Sequence, residues 1–111
     1  MLKRIYFVLL ASAVPMIAAA QTCAVPERLW ERPRSGQVLS ALAELRACVQ
    51  AHLDKPGSSL AIHHAAADES SLRAAELRYW LMALALDGAA ISLENDSPVK
   101  QPLTVEVREK K

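Results

Sequence analysis

The sequence has 111 residues, a formal net charge of +1 and 52% hydrophobic residues, which leaves room for one domain with a modest core. A nearly neutral chain lacks the basic face that nucleic-acid binding requires, and a chain this apolar is not intrinsically disordered. With only three glycines in the whole chain, a glycine-rich phosphate-binding loop is excluded.

The first twenty residues have the three parts of a cleavable secretory signal. Lys3 and Arg4 give a positive start, residues 5–17 are almost wholly apolar, and residues 18–20 are alanines that form a small-residue cleavage site. The apolar run is shorter than the roughly 20 residues that cross a bilayer, and it contains a proline. We therefore expect cleavage between residues 20 and 21, no membrane span afterwards, and a periplasmic or secreted protein.

Residues 21–35 contain two prolines among charged residues and are predicted to form an irregular arm, with a short strand near Leu29 and Trp30. The arm carries Cys23, and the following helix carries Cys48. Two lone cysteines in an exported protein favour a disulfide bond between them. The alternatives are a buried free thiol at Cys48 and a bond from Cys23 to another chain.

Residues 36–108 are predicted to form a single α/β domain, followed by a charged tail at residues 109–111. An apolar stripe predicts the first helix, which ends at Pro56 and Gly57; its members are Val38, Leu42, Leu45, Val49 and Leu53. A strand is expected at residues 60–64, a helix at residues 69–86, and strands near residues 91–94 and 103–107. Alternating strands and helices favour a small two-layer sandwich, with two helices on one face of a mixed sheet of three or four strands.

The second predicted helix has two apolar stripes, and no residue from Tyr79 to Leu86 is charged. We expect Asp68 to cap this helix and Gly88 to end it. One stripe covers the sheet, because a sheet-packing helix needs only one; its members are Leu72, Ala75, Tyr79, Ala83 and Leu86. The other stripe packs on the first helix or forms a partner surface centred on Trp80; its members are Leu77, Trp80, Leu81 and Leu84.

Catalytic signals are weak in this sequence. His63 and His64 are neighbours on a predicted strand, so their side chains point to opposite faces and make a poor chelating pair, even with Asp68 nearby. The sequence has no nucleophile elbow. We therefore expect no catalytic residue, no cofactor and no metal site, and we keep a small metal-binding or enzymatic protein that uses these histidines as an alternative.

The order of elements from Leu39 to Val107 carries one family resemblance. A helix is followed by the strand at residues 60–64, an amphipathic helix at residues 72–86, a turn at Gly88 and two further strands. In this order the stretch resembles the C-terminal peptidoglycan-binding domain of the outer-membrane protein A (OmpA) family, whose strand reads LxIxGHTD and whose helix contains LSxxRA.

The resemblance implies that family's fold and a ligand site at the strand end. The family's loop aspartate and helix arginine hold the peptide stem, but this chain has alanines at residues 65–67 and Glu76 at the corresponding positions. An alternative is a peptidoglycan or glycan binder with altered ligand residues, in which Arg73 or Arg78 supplies the charge and Trp30 or Trp80 the stacking surface. The main prediction is a non-enzymatic accessory or assembly domain of the cell envelope that binds a protein partner.

Overall fold

Four strands form one mixed sheet, and the longer helices pack on it. The computed structural model describes residues 21–109, so the predicted signal segment and the last two residues of the predicted tail lie outside the described residues. In chain order the elements are β1 (Gln21–Ala24), α1 (Gly36–Ser40), α2 (Ala43–Leu53), β2 (Ser59–His64), α3 (Asp68–Ala83), β3 (Ile91–Asn95) and β4 (Thr104–Arg108), with 3-10 turns at Glu27–Glu31 and Gly88–Ala90. The predicted α/β sandwich with helices on a mixed sheet is confirmed. Within residues 21–109, no helix is long and apolar enough to cross a membrane.

The strand order in the sheet is β1-β4-β2-β3. β4 pairs antiparallel with both β1 and β2, whereas β2 and β3 pair in parallel through the α3 crossover. α2 lies against β1 and β4, and α3 lies against β2 and β3. The sheet is therefore mixed, with β1 and β3 at its edges.

The two faces of the sheet differ sharply in chemistry. Side chains that meet in register on the helix side are apolar and buried: Leu60 pairs with Ile91 and Val107, and Ile62 pairs with Val105. The opposite face carries polar side chains that stay partly accessible, among them His63, Glu94, Thr104, Glu106 and Arg108. The period of two in each strand thus gives a dry face toward the helices and an open, charged face.

The first predicted helix is broken into two. α1 ends at Ser40, and Leu42 is the extended N-cap of α2. The buried side chains are Leu39, Leu42, Leu45 and Cys48, while Leu53 is 60% exposed. The predicted stripe is therefore wrong at Leu53, whereas Val38 and Val49 are partly buried and pack against the core.

The predicted N-terminal arm contributes a strand, and not at the expected place. β1 joins the sheet at Gln21–Ala24, whereas Leu29 and Trp30 lie in a 3-10 turn whose buried residue is Leu29. The predicted disulfide is confirmed: Cys23 of β1 and Cys48 of α2 are bonded, and their Cα atoms are 6.1 Å apart. The bond ties the edge strand to the helix that covers it.

Both ends of α3 differ from the prediction. Asp68 is the first helical residue rather than the cap, and the cap is Ala67, which has no side chain to accept a hydrogen bond. At the other end, Ala85 has a φ of 80°. Its N–H donates to the carbonyl of Met82, and the N–H of Leu86 donates to that of Leu81. This is a Schellman motif with alanine where glycine is preferred, so Gly88 is not the residue that ends the helix.

Candidate functional site

The exposed side of α3 carries a row of apolar side chains. Leu72, Ala75, Tyr79 and Met82 are spaced by three, four and three residues, so they form one row along the helix, and all four are exposed. Leu72 is 70% exposed, Tyr79 67% and Met82 42%. We call this row the α3 stripe.

The structure reverses the predicted roles of the two stripes of α3. The stripe that was expected to cover the sheet is largely exposed, and the other stripe supplies the residues that face the sheet. Leu77 and Leu81 are fully buried against the sheet together with Ala74, so neither offers a surface to a partner. Trp80 is half-buried against the edge of the core, and its indole N–H donates to Glu76 at 3.0 Å. The predicted contact surface centred on Trp80 is therefore wrong for Leu77 and Leu81.

Leu84 lies beside an apolar groove between the end of α3 and the first two helices. The groove has a volume of about 260 Å³ and is lined by Leu39, Ser40, Leu45, Arg46, Val49, Leu53, Leu81, Leu84 and Leu86. Leu81 forms its floor, while Leu53 and Leu84 stand at its rim with exposures of 60% and 37%. The groove and the α3 stripe are both apolar surfaces that a partner can reach.

Trp30 and Arg73 come together, as a ligand site of the predicted type requires. The guanidinium carbons of Arg34 and Arg73 lie 5.3 Å and 5.4 Å from the centre of the Trp30 ring. Arg73 also forms ion pairs with Glu27 at 3.0 Å and Glu69 at 3.3 Å. The indole is thus covered by arginine side chains, and a sugar has to displace one of them to stack there.

Arg73 lines a polar cleft at the carboxyl end of β2. The cleft has a volume of about 320 Å³ and is lined by Glu27, Ala65, Ala67, Glu69, Ser70, Arg73, Val99, Lys100, Gln101, Pro102 and Leu103. It contains charges of both signs, and the Oγ of Ser70 accepts a hydrogen bond from the N–H of Ala65. We call this site the polar cleft.

Arg78 and Glu76 are engaged in hydrogen bonds within the fold. The Arg78 guanidinium donates to the carbonyls of Ile91 and Gly88 at 3.1 Å and 2.8 Å, which fixes the turn before β3. Glu76 accepts two hydrogen bonds from Arg34, at 2.8 Å and 3.0 Å. Hydrogen bonding from Arg34, opposed by partial burial and helped by Trp80, lowers the pKa of Glu76.

The three histidines lie in separate environments, and the predicted set of His63, His64 and Asp68 is not formed. His64 is buried on the helix side of the sheet, where its Nδ1 lies 2.9 Å from the carbonyl of Ala65. His52 is held by Ser58 at the end of α2. Asp68 is exposed in the first turn of α3.

His63 stands at the centre of a charged cluster on the open face of the sheet. Its Nδ1 lies 2.7 Å from Asp96 and 4.0 Å from Glu94, and its Nε2 lies 2.8 Å from Glu106. Arg108 donates to both oxygens of Glu94, at 2.6 Å and 2.8 Å, and also contacts Glu106 at 3.1 Å. These five residues are called the His63 cluster below.

The cluster shifts the acid–base properties of its members. Partial burial disfavours a charged imidazole, but the hydrogen bonds with Asp96 and Glu106 outweigh it, so the pKa of His63 is raised. The hydrogen bonds from Arg108 outweigh partial desolvation and lower the pKa of Glu94.

Sequence reasoning missed four members of the cluster, namely Glu94, Asp96, Glu106 and Arg108. The sequence contains one signal for these residues: each member that lies on a strand is a polar residue in the alternating apolar–polar pattern of that strand. The pattern alone does not give the register that brings three strands together at His63.

Comparison with known proteins gives no match to this chain: no family model, no curated protein and no solved structure is significantly similar to it.

Proposed function

We propose that this chain is an exported, non-enzymatic accessory or assembly domain of the cell envelope that binds a protein partner through the α3 stripe. The observation that carries the proposal is the exposure of Leu72, Tyr79 and Met82 along one side of a helix whose other side is buried in the core. Small domains place most of their large apolar side chains inside, so an exposed row of this length is typical of a contact surface.

Export is supported by the signal-like N-terminal sequence, and the Cys23–Cys48 bond is compatible with an oxidising compartment. Intact-mass measurement on the envelope form should give a chain that begins at Gln21. A mass that still includes residues 1–20 would contradict cleavage.

The α3 stripe and the acidic residues beside it also support an inference about which residue types the partner presents. Asp68 and Glu69 lie four and three residues before Leu72, so they extend the same side of α3, and both are exposed. We infer that the partner segment has a row of apolar residues that contacts Leu72 and Tyr79. It also has a basic residue that pairs with Asp68 or Glu69. Such a segment resembles the amphipathic helices that bind along an exposed helix face.

Site-specific photo-crosslinking tests the proposal. A photoreactive phenylalanine analogue at position 79 should give one adduct with an envelope protein, while the same analogue at position 53 should not. Leu53 is a matched control because it is an exposed leucine on a different helix. Leu72→Lys should abolish the adduct at position 79 without changing the melting temperature.

Two results would refute this assignment. If only the analogue at position 53 gives an adduct, the apolar groove is the contact surface and the α3 stripe is not. If neither position gives an adduct in cells that export the protein, the domain has no partner at these surfaces.

A second candidate function is binding of peptidoglycan or a related glycan, and the polar cleft favours it. A cleft with Glu27, Arg73 and Lys100 matches the amino and carboxylate groups of a peptide stem. Pull-down with purified sacculi tests this alternative directly. Retention of the wild type and its loss in Arg73→Ala would favour the glycan binder over the protein binder, with Arg46→Ala as an exposed-arginine control.

A further inference from the structure

We propose that His63, Glu94 and Asp96 form a binding site for a divalent cation of the zinc class on the open face of the sheet. The inference is independent of the proposed function, because the site lies on the sheet face opposite the helices. It differs from the set of His63, His64 and Asp68 that the sequence offered, and shares only His63 with it.

The spacing of the three side chains suits one metal ion. One ligand atom from each residue lies within 4.8 Å of the other two. Ligands bonded to tetrahedral zinc at about 2.0–2.2 Å lie about 3.3–3.6 Å from one another. The distances from Nδ1 of His63 to Asp96 and Glu94, 2.7 Å and 4.0 Å, fall on either side of that range. Small movements of these side chains would place all three atoms around one ion.

The strands place these ligands side by side. His63 of β2 is in register with Glu94 of β3, so the two side chains share a face. Asp96 follows Glu94 by two residues, a spacing that returns to the same side of an extended chain. Two of the three ligands thus stand on hydrogen-bonded strands, which hold a site more rigidly than loops do.

The remaining members of the cluster orient the ligands. Nε2 of His63 lies 2.8 Å from Glu106, so with Nδ1 bound to the metal the Nε2–H would donate to this carboxylate and fix the orientation of the imidazole. Arg108 holds Glu94 through both oxygens. A carboxylate that accepts from the unused nitrogen of a histidine is the usual support of a histidine metal ligand.

The charge of the cluster favours a bound cation. With a neutral imidazole, three carboxylates face one guanidinium, which leaves the cluster two negative charges in excess. A divalent cation bound between these side chains balances the excess negative charge.

Zinc titration of the purified, metal-free chain tests the site. Calorimetry with Zn²⁺ alone should show one ion per chain, and His63→Gln should abolish this binding. His52→Gln is the matched control, because it also removes a half-buried imidazole, and it should bind like the wild type. Glu106→Gln should weaken binding by about 10-fold to 100-fold, as is typical for partners of metal-ligating histidines.

Circular dichroism establishes whether each variant is folded. If His63→Gln is unfolded, Asp96→Asn is used in its place. Asp96 is exposed, so its change leaves the core intact. Absence of Zn²⁺ binding by the wild type would overturn the proposal. Zn²⁺ binding that survives in both His63→Gln and Asp96→Asn would overturn it as well. Neither outcome bears on partner binding through the α3 stripe.

Discussion

At the scale of single residues, Ala85 has a backbone conformation that favours glycine. Its φ of 80° is left-handed, where a Cβ costs roughly 1 kcal/mol. Ala85→Gly should therefore raise the free energy of unfolding by about 0.5–1 kcal/mol, or the melting temperature by a few degrees. Ala75→Gly is the control: the same change at an exposed site inside α3 should lower stability by about 1 kcal/mol. Equal effects of the two changes in a denaturant titration would contradict the Schellman end of α3.

Glu76 predicts a pH effect at the same scale. Its pKa is lowered from the ordinary value of 4.5 in the folded state by Arg34, against partial burial. As the pH falls, Glu76 is therefore protonated in the unfolded chain before it is protonated in the folded one. The stabilisation that the Arg34–Glu76 pair gives the fold is present above about pH 4.5 and is lost as the pH falls through the lower folded pKa. Glu76→Gln should lower stability at pH 7 and make the melting temperature less sensitive to acid below pH 4.5. Glu31→Gln, at an exposed carboxylate, should leave the acid dependence unchanged.

At the scale of elements, β1 depends on its covalent link to α2. The bond closes a loop over a sequence separation of 25 residues, for which loop entropy gives about 3 kcal/mol. Replacing both Cys23 and Cys48 by alanine should therefore lower the free energy of unfolding by about 2–4 kcal/mol and release β1 first, because this edge strand pairs only with β4. Hydrogen exchange at Gln21–Ala24 measures the release, and a wild type that keeps its stability under reducing conditions would contradict the role of the bond.

The elements also show what a sequence of this kind specifies. The alternation of Leu103, Val105 and Val107 with polar residues correctly predicts β4 and its buried face, because alternation is a local signal. The break at residues 41–42 and the alanine that ends α3 were not predicted, because tertiary packing fixes both against local preference. The stripes of α3 were recognised as two, but which of them faces the sheet depends on the position of β2 and β3, and no local signal carries that information.

At the scale of the whole molecule, the register of the sheet decides the candidate site. His63 was recognised as a strand residue, yet its partners come from β3, β4 and the residue after β3, more than 30 positions away. Periodicity reports which face of a strand is polar, and the pairing of strands determines which polar residues meet. The His63 cluster was therefore outside the reach of the sequence alone, although each strand member was visible on the correct face.

The division of α3 into a buried and an exposed side gives the last prediction. Leu77→Ala should cost about 2–5 kcal/mol, because its side chain is fully buried between α3 and the sheet. Leu72→Ala should change stability by less than about 0.5 kcal/mol, because the same side chain is 70% exposed. Urea unfolding of both variants measures the difference.

Leu72→Ala also reports whether the α3 stripe is free in the isolated protein. If this change lowers stability as much as Leu77→Ala does, Leu72 is covered in solution, and a second copy of the chain is the only available cover in a purified sample. Sedimentation of the wild type at two concentrations then distinguishes the cases. A monomer at both concentrations, with a neutral Leu72→Ala, leaves the stripe accessible for another protein, because the fold itself gains nothing from its apolar side chains.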